Sequence, residues 1–360
     1  MHFLKKEEIK SYTTLSPFVI FSNNTYYGVF IKKDGKVKNL GPLISLPESY
    51  LPEEFKKNHK FIKEVIEFKR RKASSLTYLK VSLNNSTLTF DAIFHRKTIA
   101  RLSFKKDIGT LPKAFDNTST KEMFYNNLPS IVVTIIPSKL LKLLSNAKVL
   151  YLETDEESSR IPFELIAYKM DILVKRVIGI NKEKLAKNYI KSALLIGNGW
   201  DKRFKLCASE AVELYNIVKD RFSSEIICDS MKIEEFAKKI QEKDILFISS
   251  HAEENGISLG EDIINADNTK FIPKFPNIVF LNNCYYFGIE EFVREILQKG
   301  SSTVIFSPFK VPESHQTKTF THAFFETLAK SYDLDLSLFT AMKVSKAKKH
   351  YNYLLYRFCI

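Results

Sequence analysis

The most informative parts of the sequence are DILFISSHA at residues 244–252 and NIVFLNNC at residues 277–284. Each has four consecutive apolar residues, then two small or polar residues, and then a reactive side chain, His251 or Cys284. Short, continuous apolar runs are typical of strands buried on both faces, as in a parallel sheet. In open α/β sheets, ligands bind beyond the carboxyl ends of the strands. We therefore expect His251 and Cys284 to lie together at one edge of one sheet.

The pattern around these stretches alternates between strands and helices. From residue 192 onward it predicts strands at 193–196, 225–228, 244–249, 277–281 and 303–307, and helices at 209–222, 233–241, 292–297 and 317–330. Upstream it predicts strands at 131–136, 148–152 and 172–178 and a helix at 138–145. Such alternation predicts an α/β fold with a mostly parallel sheet flanked by helices. Residues 256–262 predict a hairpin between the two reactive residues.

The length of 360 residues predicts more than one domain. Residues 1–115 read as a smaller, strand-rich α+β N-terminal domain, and the polar stretch 112–119 is the candidate boundary. Beyond it we expect an upstream α/β part at 120–190 and a catalytic part at 191–350. Residues 351–360 are expected to be a C-terminal tail.

Composition favours a folded protein with acidic partners. Hydrophobic residues make up 44% of the chain, which excludes disorder, and the net charge is +14. A positive field of that size favours nucleic acid or acidic proteins. The basic runs at 69–72 and 346–349 are short and far apart, so nucleic-acid binding stays open as an alternative and is not the main interpretation.

The cysteine spacing and the hydropathy of the sequence limit which cellular compartment and which metal or redox chemistry we expect. The four cysteines form no C-x-x-C pair, so we expect no metal and no redox motif, and no cofactor motif stands out. The first eight residues become charged at once, without the apolar core of a signal peptide. No apolar stretch is long enough to span a bilayer. These features predict a cytoplasmic protein without a membrane span.

A cysteine and a histidine at one sheet edge form the minimum set for nucleophilic catalysis by a thiolate. The imidazole activates the thiol and protonates the leaving group, and backbone amides hold the developing oxyanion. The ordinary alternative is that Cys284 is a small buried hydrophobe and that His251 is structural.

Three further motifs carry a resemblance to a known family. They are IPFEL at 161–165, Ser209-Glu210 at the opening of an amphipathic helix, and GSSTVIFS at 300–307 followed by Val311-Pro312-Glu313. With the His251 and Cys284 stretches, their order over residues 120 to 345 resembles the CHAT domains of the caspase–separase clan. The resemblance implies a caspase-like fold and a cysteine endopeptidase, acting as a triggered protease in prokaryotic defence or signalling.

The resemblance also implies roles for single residues. His251 and Cys284 would be the catalytic pair, and the backbone N–H groups of Ala252 and Cys284 would hold the oxyanion. Asn198, Asn282 and Glu313 would line the substrate pocket, where an acid at Glu313 would favour a basic P1 residue. Glu313 also reads as part of a helix start.

Two departures from the family keep a second function open. Ala252 stands where the family has glycine, and Phe309 most simply replaces its tryptophan. A catalytically silent scaffold that binds proteins is therefore the alternative. For the active form, the expected partners are a protein substrate and a regulatory partner that acts through residues 1–115.

Overall fold

The structure is a computed structural model, and it describes residues 3–4, 17–22, 25–31, 37–45, 76–95, 99–107, 128–145, 147–159, 161–178, 190–283, 289–307, 315–350 and 357–360. The described strands are β1 Phe3–Leu4, β2 Pro17–Ser22, β3 Thr25–Ile31, β4 Val37–Ser45, β5 Leu76–Asn84, β6 Thr87–His95, β7 Ile99–Asp107, β8 Val149–Thr154, β9 Leu173–Arg176, β10 Ser192–Gly197, β11 Ser223–Ile227, β12 Ile245–Ser249, β13 Ala252–Glu253, β14 Gly256–Ser258, β15 Ile263–Ile264, β16 Ile278–Asn282, β17 Thr303–Phe306 and β18 Arg357–Cys359. The described helices are α1 Leu128–Ile135, α2 Ser138–Leu144, α3 Glu156–Ser159, α4 Ile166–Lys169, α5 Lys205–Val218, α6 Ile233–Ile240, α7 Ile289–Gln298, α8 His315–Ser331 and α9 Leu334–Ala347.

One large sheet organises the described chain. Its eleven strands run in the order β11-β10-β12-β16-β17-β18-β9-β8-β5-β6-β7. The first five are parallel to one another, whereas β18 is antiparallel to β17, and β5, β6 and β7 form an antiparallel meander. Strands β1 to β4 form a separate four-stranded sheet. The predicted α/β class, with a mostly parallel sheet flanked by helices, is confirmed.

The parallel strands are apolar throughout because both faces of the sheet are covered. Alternate residues of β12 and β16 enter two different cores: Phe247 and Phe280 lie in one, and Leu246 and Val279 lie in the other. The first core contains residues of α5, α8 and α9, and the second contains residues of α6 and α7. Burial on both sides explains why these strands carry no polar alternation.

The predicted strand at 131–136 is wrong, because this segment forms α1 and its continuation. Its β-branched residues favour a strand locally, but among the side chains described at 132–136, Val132, Ile135 and Ile136 are buried, at a spacing of three and four residues. Pro129 in the first turn suits a helix start. Packing of this helical face against the core outweighs the local preference.

The sheet crosses two of the expected domain limits. Strands β5 to β7 lie within residues 1–115, yet β5 pairs in parallel with β8 from Thr77–Leu150 to Val81–Thr154. Residues 357–359 of the expected tail form β18, which lies between β17 and β9 inside the sheet. The boundary stretch 112–119 lies outside the described residues, and the division into domains stays a prediction.

Candidate active site at the carboxyl edge of the sheet

Strands β12 and β16 are neighbours and run parallel, with register from Ile245–Ile278 to Ser249–Asn282. His251 follows Ser249 by two residues, and Cys284 follows Asn282 by two residues. Cys284 lies outside the described residues, as does Glu313, so their predicted roles stay predictions. The described chain reaches Asn283, the residue before Cys284.

The imidazole of His251 is half-buried and lies against an aromatic ring. It stacks on Phe204 with a centroid distance of 4.4 Å and an interplanar angle of 13°. Phe204 is the residue that precedes the first turn of α5, so the helix start fixes the position of the ring. The guanidinium of Arg203 lies over the Phe204 ring, 5.5 Å from its centroid.

The loop after β10 adds a carboxylate near His251. Asp201 accepts hydrogen bonds from the Arg203 side chain at 2.6 and 3.0 Å. These bonds lower the pKa of Asp201 to about 2, and the charge of His251 makes a smaller contribution in the same direction. Asn198, buried, shapes this loop by accepting a 2.9 Å hydrogen bond from the N–H of Asp201. Sequence reasoning missed Phe204, since no local pattern marks an aromatic residue before a helix as a partner of His251.

Ala252 begins the short hairpin that follows His251. The N–H of Ser258 donates to the carbonyl of His251 at 3.1 Å, and Ala252 pairs with Ile257. Because hydrogen-bonded and non-hydrogen-bonded pairs alternate in antiparallel strands, Ala252–Ile257 is a non-hydrogen-bonded pair. The N–H of Ala252 therefore points away from β14. Among described non-glycine residues, positive φ occurs at Asn85, Tyr332 and Lys349, so the conformation of Ala252 does not require glycine.

The buried carboxylate of Glu210 forms hydrogen bonds to the ends of both β12 and β16. Glu210 of α5 accepts hydrogen bonds from Ser249 Oγ at 2.8 Å, from Asn282 Nδ2 at 2.7 Å and from Thr321 Oγ1 at 2.6 Å. Burial raises the pKa of Glu210, while these hydrogen bonds and the charge of Lys318 oppose the shift. Asn282 is itself buried, so this contact accounts for its side chain without a substrate.

The 161–165 motif lies in the other half of the sheet and is structural there. Glu164 is buried and forms a two-point ion pair with Arg176 of β9, at 2.5 Å from Nε and 3.1 Å from Nη2. The same guanidinium donates to the carbonyls of Ile161 and Ser159 at 2.8 and 3.0 Å. One arginine thus fixes the whole segment onto β9.

Within the described ranges, His, Cys, Asp and Glu side chains form no group of three or more that could hold a metal ion. Over the same ranges, no helix has both the length and the apolar composition needed to cross a bilayer.

Comparison with known proteins gives likeness at the level of the fold. No family model and no curated protein sequence matches the chain. A chain of the Saccharomyces cerevisiae separase–securin complex matches with a TM-score of 0.52 and 11% identity, over 86% of this chain and 32% of that one. The Arg-specific cysteine proteinase gingipain R matches with a TM-score of 0.47 and 12% identity, over 70% of this chain and 69% of that one.

The chain therefore has a caspase-like α/β fold, the class to which separase belongs. It spans about a third of the length of the separase chain that it matches. At 11% identity the likeness concerns the fold, and activity has to be argued from the residues of this chain.

Proposed function

We propose that this protein is a caspase-like cysteine endopeptidase of the CHAT type, with Cys284 as nucleophile and His251 as general base and acid. One observation carries the proposal: the register Ser249–Asn282 between adjacent parallel strands. Counting two residues onward from Ser249 and from Asn282 leads to His251 and Cys284. Because neighbouring strands lie about 4.8 Å apart, an imidazole and a thiol that continue this register are within reach of each other.

The reaction follows from these groups. His251 takes the thiol proton, and the Cys284 sulfur forms a bond with the scissile carbonyl carbon. The N–H groups of Ala252 and Cys284 stabilise the oxyanion of the tetrahedral intermediate. Collapse of this intermediate breaks the C–N bond, and His251 gives its proton to the leaving amine. Water then hydrolyses the thioester, releases the carboxylic acid and restores the thiol.

Three features of the described residues support this mechanism. Stacking on Phe204 restrains the orientation of the His251 ring. The carboxylate of Asp201, kept ionised by Arg203, adds a negative charge near the imidazole. The N–H of Ala252 is directed away from its own hairpin, as an oxyanion donor has to be.

Substrate selection is assigned to the loop after β10 and to the segment after β17. Glu313 supplies the acid that would pair with Arg or Lys at P1, while Asn198 and Asn282 shape the base of the pocket from buried positions. Separase is seen in a complex with the protein securin. By analogy, a regulatory protein partner acts here through residues 1–115, in a triggered prokaryotic defence or signalling system in the cytoplasm.

The alternative is a silent scaffold of the same fold, suggested by Ala252 in place of glycine. Labelling of the thiol separates the two. The experiment measures alkylation of Cys284 by iodoacetamide at pH 7, quantified on the peptide that contains it. For the protease we expect His251→Ala to lower this rate by about 100-fold, whereas the control His350→Ala leaves it unchanged. Equal rates in wild type and His251→Ala would refute the proposal.

Peptidyl acyloxymethyl ketones that differ only at P1 extend the test to specificity. Faster labelling of Cys284 by the Arg and Lys reagents than by the Leu and Asp reagents is expected, and Glu313→Gln should remove this preference. An unchanged preference in Glu313→Gln would exclude the residue from the pocket. Nucleic-acid binding through the net charge of +14 predicts affinity that falls steeply with salt.

A further inference from the structure

Glu210 is the residue that bridges the ends of β12 and β16, and its contacts span both strands at once. One carboxylate oxygen, Oε2, accepts from Ser249 Oγ at 2.8 Å and from Asn282 Nδ2 at 2.7 Å. Ser249 and Asn282 are the last registered pair between the two strands. A single oxygen atom therefore joins the side chains of both strands at the point where their backbone pairing stops.

The second oxygen ties the same carboxylate to a helix. Oε1 accepts from Thr321 Oγ1 of α8 at 2.6 Å. On the same helix, Lys318 Nζ donates to Ser209 Oγ at 2.8 Å and to Glu213 Oε1 at 2.7 Å. Helices α5 and α8 are thus joined to each other around the point where both strands end.

All four members of this polar cluster are buried, and burying polar groups costs free energy of folding. Glu210 is 4% exposed, Ser249 2%, Asn282 7% and Thr321 0%. Burying an ionisable carboxylate is unfavourable unless its acceptor sites are used. The preceding strand residues, 245–248 and 278–281, are all apolar, so hydrophobic side chains in place of the whole cluster would suit the core without this cost. Two members of this polar cluster, Ser249 and Asn282, lie two residues before the proposed catalytic residues His251 and Cys284.

We propose that Glu210 is a positioning residue for the reaction, holding the ends of β12 and β16 at the separation that sets the distance between His251 and Cys284. This inference rests on the proposed function and deepens it. A displacement of about 1 Å at a reacting pair costs up to about 100-fold in rate. Loss of the bridge should therefore be visible in thiol reactivity even when the protein remains folded.

Two substitutions of similar size separate hydrogen-bonded geometry from simple packing. In Glu210→Gln, the amide oxygen still accepts from Ser249 and Asn282, and the amide nitrogen donates to Thr321. The Thr321 hydroxyl can then donate to the carbonyl of Lys318, which already lies 3.2 Å away. Glu210→Leu fills the same space but accepts nothing. We expect the Cys284 alkylation rate at pH 7 to stay within about threefold of wild type for Gln and to fall about tenfold or more for Leu.

The pH profile of the same rate adds a readout that a purely structural residue would not change. If His251 activates Cys284 as proposed, we expect alkylation of the wild type to begin below the ordinary thiol pKa of about 8.5. In Glu210→Leu the midpoint should move up toward that value. A Gln variant as slow as Leu would overturn the inference, because charge rather than geometry would then be decisive.

A matched pair of serine variants decides the matter if Glu210→Leu does not fold. Ser249 and Ser301 are both buried, and each hydroxyl makes a hydrogen bond shorter than 3 Å, but they lie at opposite ends of the parallel strands. Ser249→Ala should slow alkylation of Cys284 by about threefold or more, and Ser301→Ala should leave it unchanged. Equal rates in these two variants would overturn the inference.

The outcomes also distinguish the inference from the function on which it rests. If wild-type Cys284 shows no His251-dependent reactivity, the proposed protease itself fails. If that reactivity is present and a folded Glu210→Leu variant keeps the wild-type rate and pH midpoint, only the role of Glu210 fails. Circular dichroism and thermal unfolding of each variant establish that the folded protein is being compared.

Discussion

Glu210 illustrates how one buried side chain acquires both a structural and a chemical consequence. Its three hydrogen bonds favour the carboxylate, but full burial outweighs them and raises its pKa. A group whose pKa is raised on folding stabilises the protein below its unfolded pKa. That stabilisation is lost as the pH rises through the pKa of the folded state.

The pH dependence of stability tests this balance. Relative to Glu210→Gln, the wild type should lose free energy of unfolding as the pH rises above about 4.5, the ordinary value for Glu. Urea unfolding of both proteins between pH 4 and pH 8 measures the difference. A difference that does not change with pH, or that grows in favour of the wild type, would contradict a raised pKa.

Asp201 shows the opposite shift at a half-buried position beside the site. Its pKa of about 2 comes chiefly from the Arg203 side chain. In Arg203→Gln we expect the carboxyl pKa of Asp201 to return toward the ordinary value of 3.8, measured by carboxyl ¹³C NMR during an acid titration. A value that remains near 2 would show that the Arg203 side chain is not the cause. Lys202→Gln, which alters the adjacent exposed cation, is the control.

At the scale of elements, the hairpin β13–β15 is held over the carboxyl edge by its contacts with the segment before α6. Met231 pairs with Gly260 and donates its N–H to the carbonyl of Leu259 at 2.9 Å. Asp262 caps the helix by accepting from the N–H of Ile233 at 2.9 Å. Since His251 directly precedes β13, the contacts that hold the hairpin against the segment before α6 also help to position His251.

Gly260 is the residue in these contacts that tolerates no side chain. Its φ is +95°, and an added Cβ would lie 2.4 Å from Cβ of Ser230. Gly260→Ala should lower the free energy of unfolding by about 1–3 kcal/mol, since it adds both backbone strain and a steric clash. Chemical denaturation measures this, with Glu261→Ala as a control expected to change little. Equal stability of the two variants would mean that the turn relaxes freely.

At the scale of the whole molecule, β18 connects the two halves of the sheet. It pairs with β17 on one side and with β9 on the other. Phe358 is buried and lies against Phe320 with ring centroids 6.2 Å apart. The last residues of the chain thus link the half that carries His251 to the half that contains the Glu164–Arg176 pair.

Removing the Phe358 ring should weaken both halves together. Phe358→Ala leaves a cavity between β18 and α8 and should cost about 3–5 kcal/mol. We expect a single, cooperative unfolding transition at lower denaturant concentration. Ile360→Ala, at a half-buried position two residues later, should cost well under half as much. If Phe358→Ala produced two separate transitions, the halves would be independent units.

The sequence determined the elements that its periodicity encodes. The alternation from residue 192 onward predicted β10, β12, β16 and β17 and the order of their helices, because buried parallel strands must be apolar and their helices amphipathic. It also placed His251 directly after a strand. It could not identify α1, whose β-branched residues favour a strand locally, because burial of one helical face is a tertiary effect.

Contacts between residues far apart in the sequence could be identified only in the folded protein. Glu210, Ser249, Asn282 and Thr321 are separated by as many as 111 residues in sequence, and Phe204 meets His251 from another loop. No local pattern encodes such contacts, since they arise when parallel strands bring their carboxyl ends to one edge. Likewise, β18 read as a tail because three residues carry no periodicity, and its partners β17 and β9 exist only once the sheet has formed.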